Sequence, residues 1–161
     1  MRDAARQGAA QARGERVIIG VGVDIVQVER MRKKAGENLD TPLAKGVFTA
    51  SELEYARGKG VAAAQSLAGF FAAREALFKA TQVWPGWHGA WVEHDKNGRP
   101  YFQFPLESWE KLAAKGLDIT KCRINLTISH EKDFAVAVVI VDADIFELSR
   151  QIREIPDPET N

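Results

Sequence analysis

Cysteine is nearly absent from this chain: Cys122 is the only one in 161 residues. That excludes an internal disulfide and leaves too few thiolates for a cysteine-built zinc site. The usage fits a reducing cytoplasm. Long apolar runs are lacking as well, and nothing approaches the roughly 20 residues of a membrane-spanning helix. Nor is there an excess of charge of either sign, with 22 Lys and Arg against 22 Asp and Glu. No general affinity for nucleic acid or for a membrane surface follows, so any electrostatic preference has to be local. Residues 1–16 contain no apolar segment of the kind a secretory signal needs. They read as a disordered leader or a cloning remnant, with a weak likeness to an Arg-rich organelle transit peptide. Repeats and low-complexity tracts are missing too.

What is present suits one globular domain. Hydrophobic residues make up 45% and charged residues 27% of the chain, ordinary values for a folded unit with a single core. Residues 17–145 are the expected domain, and 146–161 the expected tail. The first strand is predicted over Val17 to Val26, where alternation puts Val21, Val23 and Ile25 on one face. Gly20, Gly22 and Asp24 fall on the other, leaving a flat side that a second element can approach closely. Asp24 has two readings. Asp24-Ile-Val-Gln27 matches a capping box for the next helix, and a carboxylate at the end of an apolar strand is also a candidate ligand.

A short helix follows from Gln27 to about Ala35, with Arg30, Arg32, Lys33 and Lys34 set against Glu29. Such a run is a solvated face or a dock for an acidic partner, with Met31 as an apolar contact. Gly36 to Pro42 break the chain. Thr49-Ala-Ser-Glu52 is a capping box that opens a helix through about Arg57 and explains Glu52 structurally. A long helix is predicted from about Ala62 to Val83. On it Leu67, Phe70, Phe71, Leu77 and Phe78 share one broad face. Glu75 and Lys79 stand four apart on its flank, where their side chains can meet, and Ala68 and Ala72 permit close approach there. Trp84, Trp87 and Trp91 cluster about a Pro-Gly turn, as packing aromatics or as the lining of a slot.

Asn97-Gly98 between two extended runs signals a hairpin. Its bland reading is a plain turn; the alternative is that Lys96 and Arg99 beside free backbone amides hold a phosphate. Leu106 to Lys115 is a further helix candidate, closed by Gly116. Lys121 to Ile128 and Phe134 to Val141 are strands joined by five residues, hence an antiparallel hairpin with His130 near its tip. The second strand is apolar nearly throughout, the pattern of a strand covered on both faces. Asp142 to Arg153 reads as a terminal helix, and Pro156 to Asn161 as a frayed end.

Asp24, Glu75, Lys79 and His130 are the polar groups that stand out. Two carboxylates on well-built elements could share a hard cation such as Mg²⁺, which takes oxygen ligands and keeps waters for substrate phosphates. A lysine one turn away could neutralise a phosphate oxygen, an arrangement suited to displacement at phosphorus. An exposed Glu75–Lys79 pair with no such purpose explains the same spacing.

Four ordered segments change the weight of these readings. They are Gly20-Val-Gly-Val-Asp24-Ile, Phe48-Thr-Ala-Ser-Glu52, Phe71-Ala-Ala-Arg-Glu75-Ala-Leu-Phe-Lys79-Ala, and Thr127-Ile-Ser-His130 before an apolar strand. With the Asn97-Gly-Arg-Pro-Tyr101 turn, they resemble the acyl carrier protein synthase family, the small bacterial type of 4'-phosphopantetheinyl transferase. The resemblance covers about residues 17 to 141. It implies an α+β fold with one long central helix on a small, mainly antiparallel sheet, assembled as a homotrimer with active sites between subunits.

The implied activity is transfer of 4'-phosphopantetheine from coenzyme A to a serine of apo acyl carrier protein, with Mg²⁺ as cofactor. The by-product is adenosine 3',5'-bisphosphate. A non-catalytic carrier-protein or coenzyme A binding module of the same fold is the rival reading. By resemblance, Asp24 and Glu75 are the Mg²⁺ ligands, and Glu75, Lys79 and His130 are the catalytic residues. Arg74, Lys79, Gly98, Arg99, Pro100 and His130 fall on coenzyme A contacts, and Arg30, Arg32 and Lys33 on the carrier-protein dock. Departures are also visible. Phe70 stands where many members have Arg, Arg74 where they usually have Lys, Gly46 for a frequent Arg, and Gln82 for a frequent Gly.

Overall fold

A computed structural model describes residues 15–115, 117 and 121–144. The expected leader up to residue 14, Gly116 and the tail from residue 145 onward lie outside the described residues. The architecture is α+β, as expected, with the glycine strand at one edge of a three-stranded sheet. Strand β1 (Arg16–Gln27) pairs with β5 (Phe134–Asp144), which pairs on its other edge with β4 (Cys122–His130); both pairings are antiparallel. Helix α4 (Ala63–Thr81) crosses the inner face of this sheet.

Glycine in β1 is what lets the helix lie so close. A Cβ on Gly22 would fall inside the radius of the Ala76 carbonyl oxygen, and one on Gly20 inside that of Ala80. The helix backbone therefore rests directly on the strand backbone. This close approach occurs at Ala76 and Ala80, one to two turns beyond the Ala68 and Ala72 that helical spacing suggested.

Asp24 does not cap a helix. It lies inside β1, opposite Ala137 of β5, and helix α1 (Val28–Ala35) begins after Gln27 with no side-chain cap. Strand pairing won over the capping-box pattern because β5 offers the backbone a continuous ladder through Gln27. After α1, Gly36 turns at φ 72°. Helix α2 (Pro42–Val47) then forms where only a break was expected; Thr41 caps it and Pro42 sits in its first turn. That Thr-Pro start is a helix signal in its own right. Helix α3 (Ala50–Gly58) has the predicted Thr49–Glu52 capping box and leads through a short 3-10 turn (Gly60–Ala62) into α4.

A separate hairpin, β2 (Trp91–His94) with β3 (Pro100–Gln103), and helix α5 (Leu106–Ala113) complete the described chain. Asp142 belongs to β5 rather than to a terminal helix, where its carboxylate pairs with Arg16 and accepts Asn125 Nδ2 at 3.0 Å. No described helix is long and apolar enough to cross a membrane.

Strand β5 departs from its pattern in a telling way. Its inner residues Ala135, Ala137, Val139 and Val141 are sealed in the core. Outer residues Val136, Val138 and Ile140 are only half-buried, and in β1 Val21 and Ile25 are 58% and 64% exposed. A sequence written for cover on both faces is covered on one in the single chain.

Candidate functional site

The flat side of β1 delivers Asp24 to the flank of α4. Lys79 Nζ donates to Asp24 Oδ1 at 2.8 Å and to the Val23 carbonyl at 2.9 Å. Sequence spacing suggested a Glu75–Lys79 contact; the lysine instead spans to the strand. Packing explains the choice, since β1 lies one backbone thickness from α4 and presents both a carboxylate and a carbonyl. Glu75, one turn before Lys79, is left half-buried, with no hydrogen-bonding or ion-pair partner among the described residues. Asp24 is 17% exposed and Lys79 49%. The structure thus joins Asp24 to Lys79, with Glu75 one helical turn before the lysine on α4.

The donor set suits a hard divalent cation. Both carboxylates stand on elements locked together by glycine packing, and Glu75 has its oxygens free. Among the described residues, no three or more of His, Cys, Asp and Glu gather as a metal-holding group. A cation here would complete its sphere with water or substrate oxygens, which is how Mg²⁺ is usually held.

His130 is not part of this cluster within one chain. It is the exposed last residue of β4, opposite Ala135, and β5 separates it from β1. Glu131 beside it accepts Gln65 Nε2 at 3.3 Å, and Gln65 lies about 15 Å along the helix from Glu75 at ~1.5 Å per residue.

Arg74 has to be removed from the coenzyme A contacts. It is fully buried, and its guanidinium is spent internally: Nε donates to Ala90 O at 2.9 Å, Nη1 to Phe70 O at 3.1 Å, and Nη2 to Glu52. Burial pushes its pKa down while Glu52 holds it up. With no exposed surface, it presents no donor to a phosphate in solvent. Glu52 in turn caps α3, takes Arg74 and accepts Val92 N at 3.0 Å, so one carboxylate ties α3, α4 and the hairpin. An Arg within an apolar stripe reads as a phosphate contact or as half of a structural ion pair. The pair is what forms, and its partner, the capping-box acid Glu52, is not evident from local spacing.

Phe70 is buried against Tyr55 and His94 at centroid distances of 5.6 and 6.0 Å. His94 stacks on Tyr55 at 4.3 Å. Burial, and then the nearby Lys59, hold its pKa below the ordinary imidazole value.

The Asp95–Arg99 turn uses up the amides that a phosphate would need. Asp95 Oδ1 accepts Asn97 N at 2.8 Å and Arg99 N at 2.9 Å, and Gly98 N donates to Asp95 O. Gly98 is at φ 80°, which explains the glycine. What Arg99 and Pro100 do line is an open cavity of about 340 Å³ against Asn125, Thr127, Val138 and Ile140. Val138 and Ile140 belong to the outer sheet face, away from Asp24.

On α1, Glu29 is paired with Arg32 at 3.2 Å and Lys33 at 3.8 Å. Arg30 has no acidic partner among the described residues and lies 5.8 Å over Phe71. With Lys34 it rims a groove of about 150 Å³ with Leu43, Phe48, Phe71 and Trp87 on its walls. Met31 is 2% exposed and forms part of the floor rather than a projecting contact. Phe71, Trp87, Trp84 and Phe78 form a chain of aromatic contacts along the α4 flank that carries Glu75, whereas Trp91 turns aside to Glu93.

Comparison with known proteins bears on the family and the fold. The sequence profile described as the 4'-phosphopantetheinyl transferase superfamily matches residues 20–139. A holo-[acyl-carrier-protein] synthase of Treponema denticola is 38% identical over 131 residues, covering 78% of this chain and 99% of the relative. A crystal structure of the corresponding synthase of Bacillus anthracis in complex with CoA (3',5'-ADP) superposes with a TM-score of 0.59. It is 30% identical and covers 78% of this chain and 97% of its own. The Neisseria meningitidis synthase superposes with a TM-score of 0.66 at 27% identity, over 78% and 98% of the two chains.

Proposed function

Since the chain belongs to the 4'-phosphopantetheinyl transferase superfamily, we propose that it is a holo-[acyl-carrier-protein] synthase working from the Asp24–Glu75–Lys79 cluster. It moves 4'-phosphopantetheine from coenzyme A to a serine of apo acyl carrier protein. The carrying observation is the convergence of β1 and α4, which sets Asp24 2.8 Å from Lys79 with the unpaired Glu75 one turn away.

In the reaction the serine oxygen bonds to the phosphorus of the phosphopantetheine. The pyrophosphate P–O bond breaks, and adenosine 3',5'-bisphosphate leaves. Lys79 binds a phosphate oxygen and offsets the charge that grows as that bond lengthens. Glu75, directly or through water, takes the serine proton. Asp24 and Glu75 would hold Mg²⁺, which when bound supplies further charge stabilisation at the pyrophosphate.

The apolar outer sheet face supports a homotrimer. Val21 and Ile25 stand in water in the single chain, and exposed patches of this kind mark interfaces. A neighbour on that face would meet Arg99 and Pro100 at the 340 Å³ cavity, where they contribute to coenzyme A binding with Gly98. It would also bring a second His130 toward a site that the first cannot reach. Residues 17–145 form the transferase domain, and the setting is the cytoplasm.

The decisive experiment is mass spectrometry of apo carrier protein incubated with coenzyme A and this protein, with and without Mg²⁺. A Mg²⁺-dependent gain of the phosphopantetheine mass is expected. No gain on a cognate carrier, despite coenzyme A binding, would leave a binding module instead.

Docking of the carrier is assigned to α1. Arg30, Arg32 and Lys33 give this helix a local positive face for an acidic partner. Reversing Arg30 and Lys33 together to Glu should weaken carrier binding by about tenfold or more, mainly through the association rate, and flatten its salt dependence. Equal affinity for variant and wild type in surface plasmon resonance would exclude α1 as the dock.

A further inference from the structure

Lys79 occupies the very carboxylate that the proposed metal needs. Its ammonium sits 2.8 Å from Asp24 Oδ1 and is held a second time by the Val23 carbonyl at 2.9 Å. Two-point anchoring of this kind is a built position, since a lysine merely balancing a charge has no need of a strand carbonyl. Glu75 lies on the same helix face one turn away and takes no part in it.

We infer that Lys79 is a resident counter-cation, exchanged off Asp24 when a divalent cation binds. The inference rests on the reading of Asp24 and Glu75 as metal ligands. A divalent cation on Asp24 would stand within about 5 Å of an ammonium on the same carboxylate. Like charges at that distance repel strongly wherever water screens poorly, and Asp24 is 17% exposed. The lysine has somewhere to go, because half of its side chain is exposed and its stem is flexible.

The consequence is a coupling between two steps. Until the cation arrives, Asp24 is neutralised by the protein itself, so the largely covered carboxylate carries no uncompensated charge. Binding of the cation releases an ammonium one turn from Glu75, where a phosphate oxygen can take it. By reciprocity, a phosphate that draws Lys79 away tightens the site for the cation by the same factor.

The test uses the full-length ¹⁵N-labelled protein and Mg²⁺ alone. Lysine side-chain ammonium spectra should show one hydrogen-bonded, slowly exchanging signal, assigned by its loss in Lys79→Met. Adding Mg²⁺ should move that signal to the position of a solvent-exposed lysine. In calorimetry, Lys79→Met, with its fold verified by circular dichroism, should bind Mg²⁺ several-fold more tightly than wild type. A Lys79 signal that stays in place at saturating Mg²⁺ overturns the exchange, whatever the affinity of the variant, because Asp24 would then carry both cations. If neither protein takes up Mg²⁺, the metal reading falls and the exchange falls with it.

Discussion

Replacing Arg74 by methionine should destabilise the protein by on the order of 3–5 kcal/mol, the usual result of removing one member of a buried ion pair. The reason is geometric. Glu52 and Arg74 are both wholly buried, and Glu52 has no other cation among the described residues. Without Arg74 the carboxylate keeps the amides of Thr49 and Val92 but loses its counter-charge. The carbonyls of Ala90 and Phe70 lose their donors at the same time. For a domain of this size such a loss lowers the melting temperature by roughly 10–20 °C. The double variant Glu52→Gln/Arg74→Met should recover a substantial part of it, because no unpaired charge is then buried.

Arg74→Lys is the sharper probe. It keeps the charge and forfeits the planar fork that reaches Glu52, Ala90 and Phe70 together. Its loss should fall between wild type and methionine. Chemical denaturation read by tryptophan fluorescence ranks the three. A methionine variant within ~1 kcal/mol of wild type would show that the pair does not join α3, α4 and the hairpin.

What could be read in advance follows from how local each signal was. The Thr49–Glu52 box, the glycine alternation of β1 and the β4–β5 hairpin are written in neighbouring residues, and each appears where it was expected. Asp24 and Arg74 were harder because their partners lie 55 and 22 residues away. A capping box at Asp24 is a valid local pattern, and only the presence of β5 decides against it. Arg74 sits next to Glu75 in sequence but about 100° around α4 from it, turned inward to Glu52 of α3 and to Ala90. Helix α2 has a local start signal in Thr41-Pro42, in a stretch that reads as a break from its glycine and proline alone. Phe70 looked like a lost phosphate contact. In the fold it packs on Tyr55 and His94, so an apolar cluster stands there instead.

Glu75→Gln should lower turnover by roughly 10²–10⁴-fold, the range expected when a positioned base is lost, while leaving stability within ~0.5 kcal/mol of wild type. These two outcomes belong together. The amide is isosteric with the acid, and the Glu75 side chain is half-buried without a partner to lose, so the fold has little to register. What changes is charge. With glutamine, one acid remains beside Lys79, the local balance moves from −1 to neutral, and Mg²⁺ binding weakens as well. Asp24→Asn makes the useful contrast, because it should also weaken Mg²⁺ but costs the Lys79 contact at 2.8 Å and should therefore lower the melting temperature slightly. A Glu37→Gln control, on an exposed turn away from the site, should leave activity unchanged. Steady-state assay of holo-carrier formation separates the cases. If Glu75→Gln turns over normally at saturating Mg²⁺, Glu75 is neither base nor ligand, and the proton must go to another group.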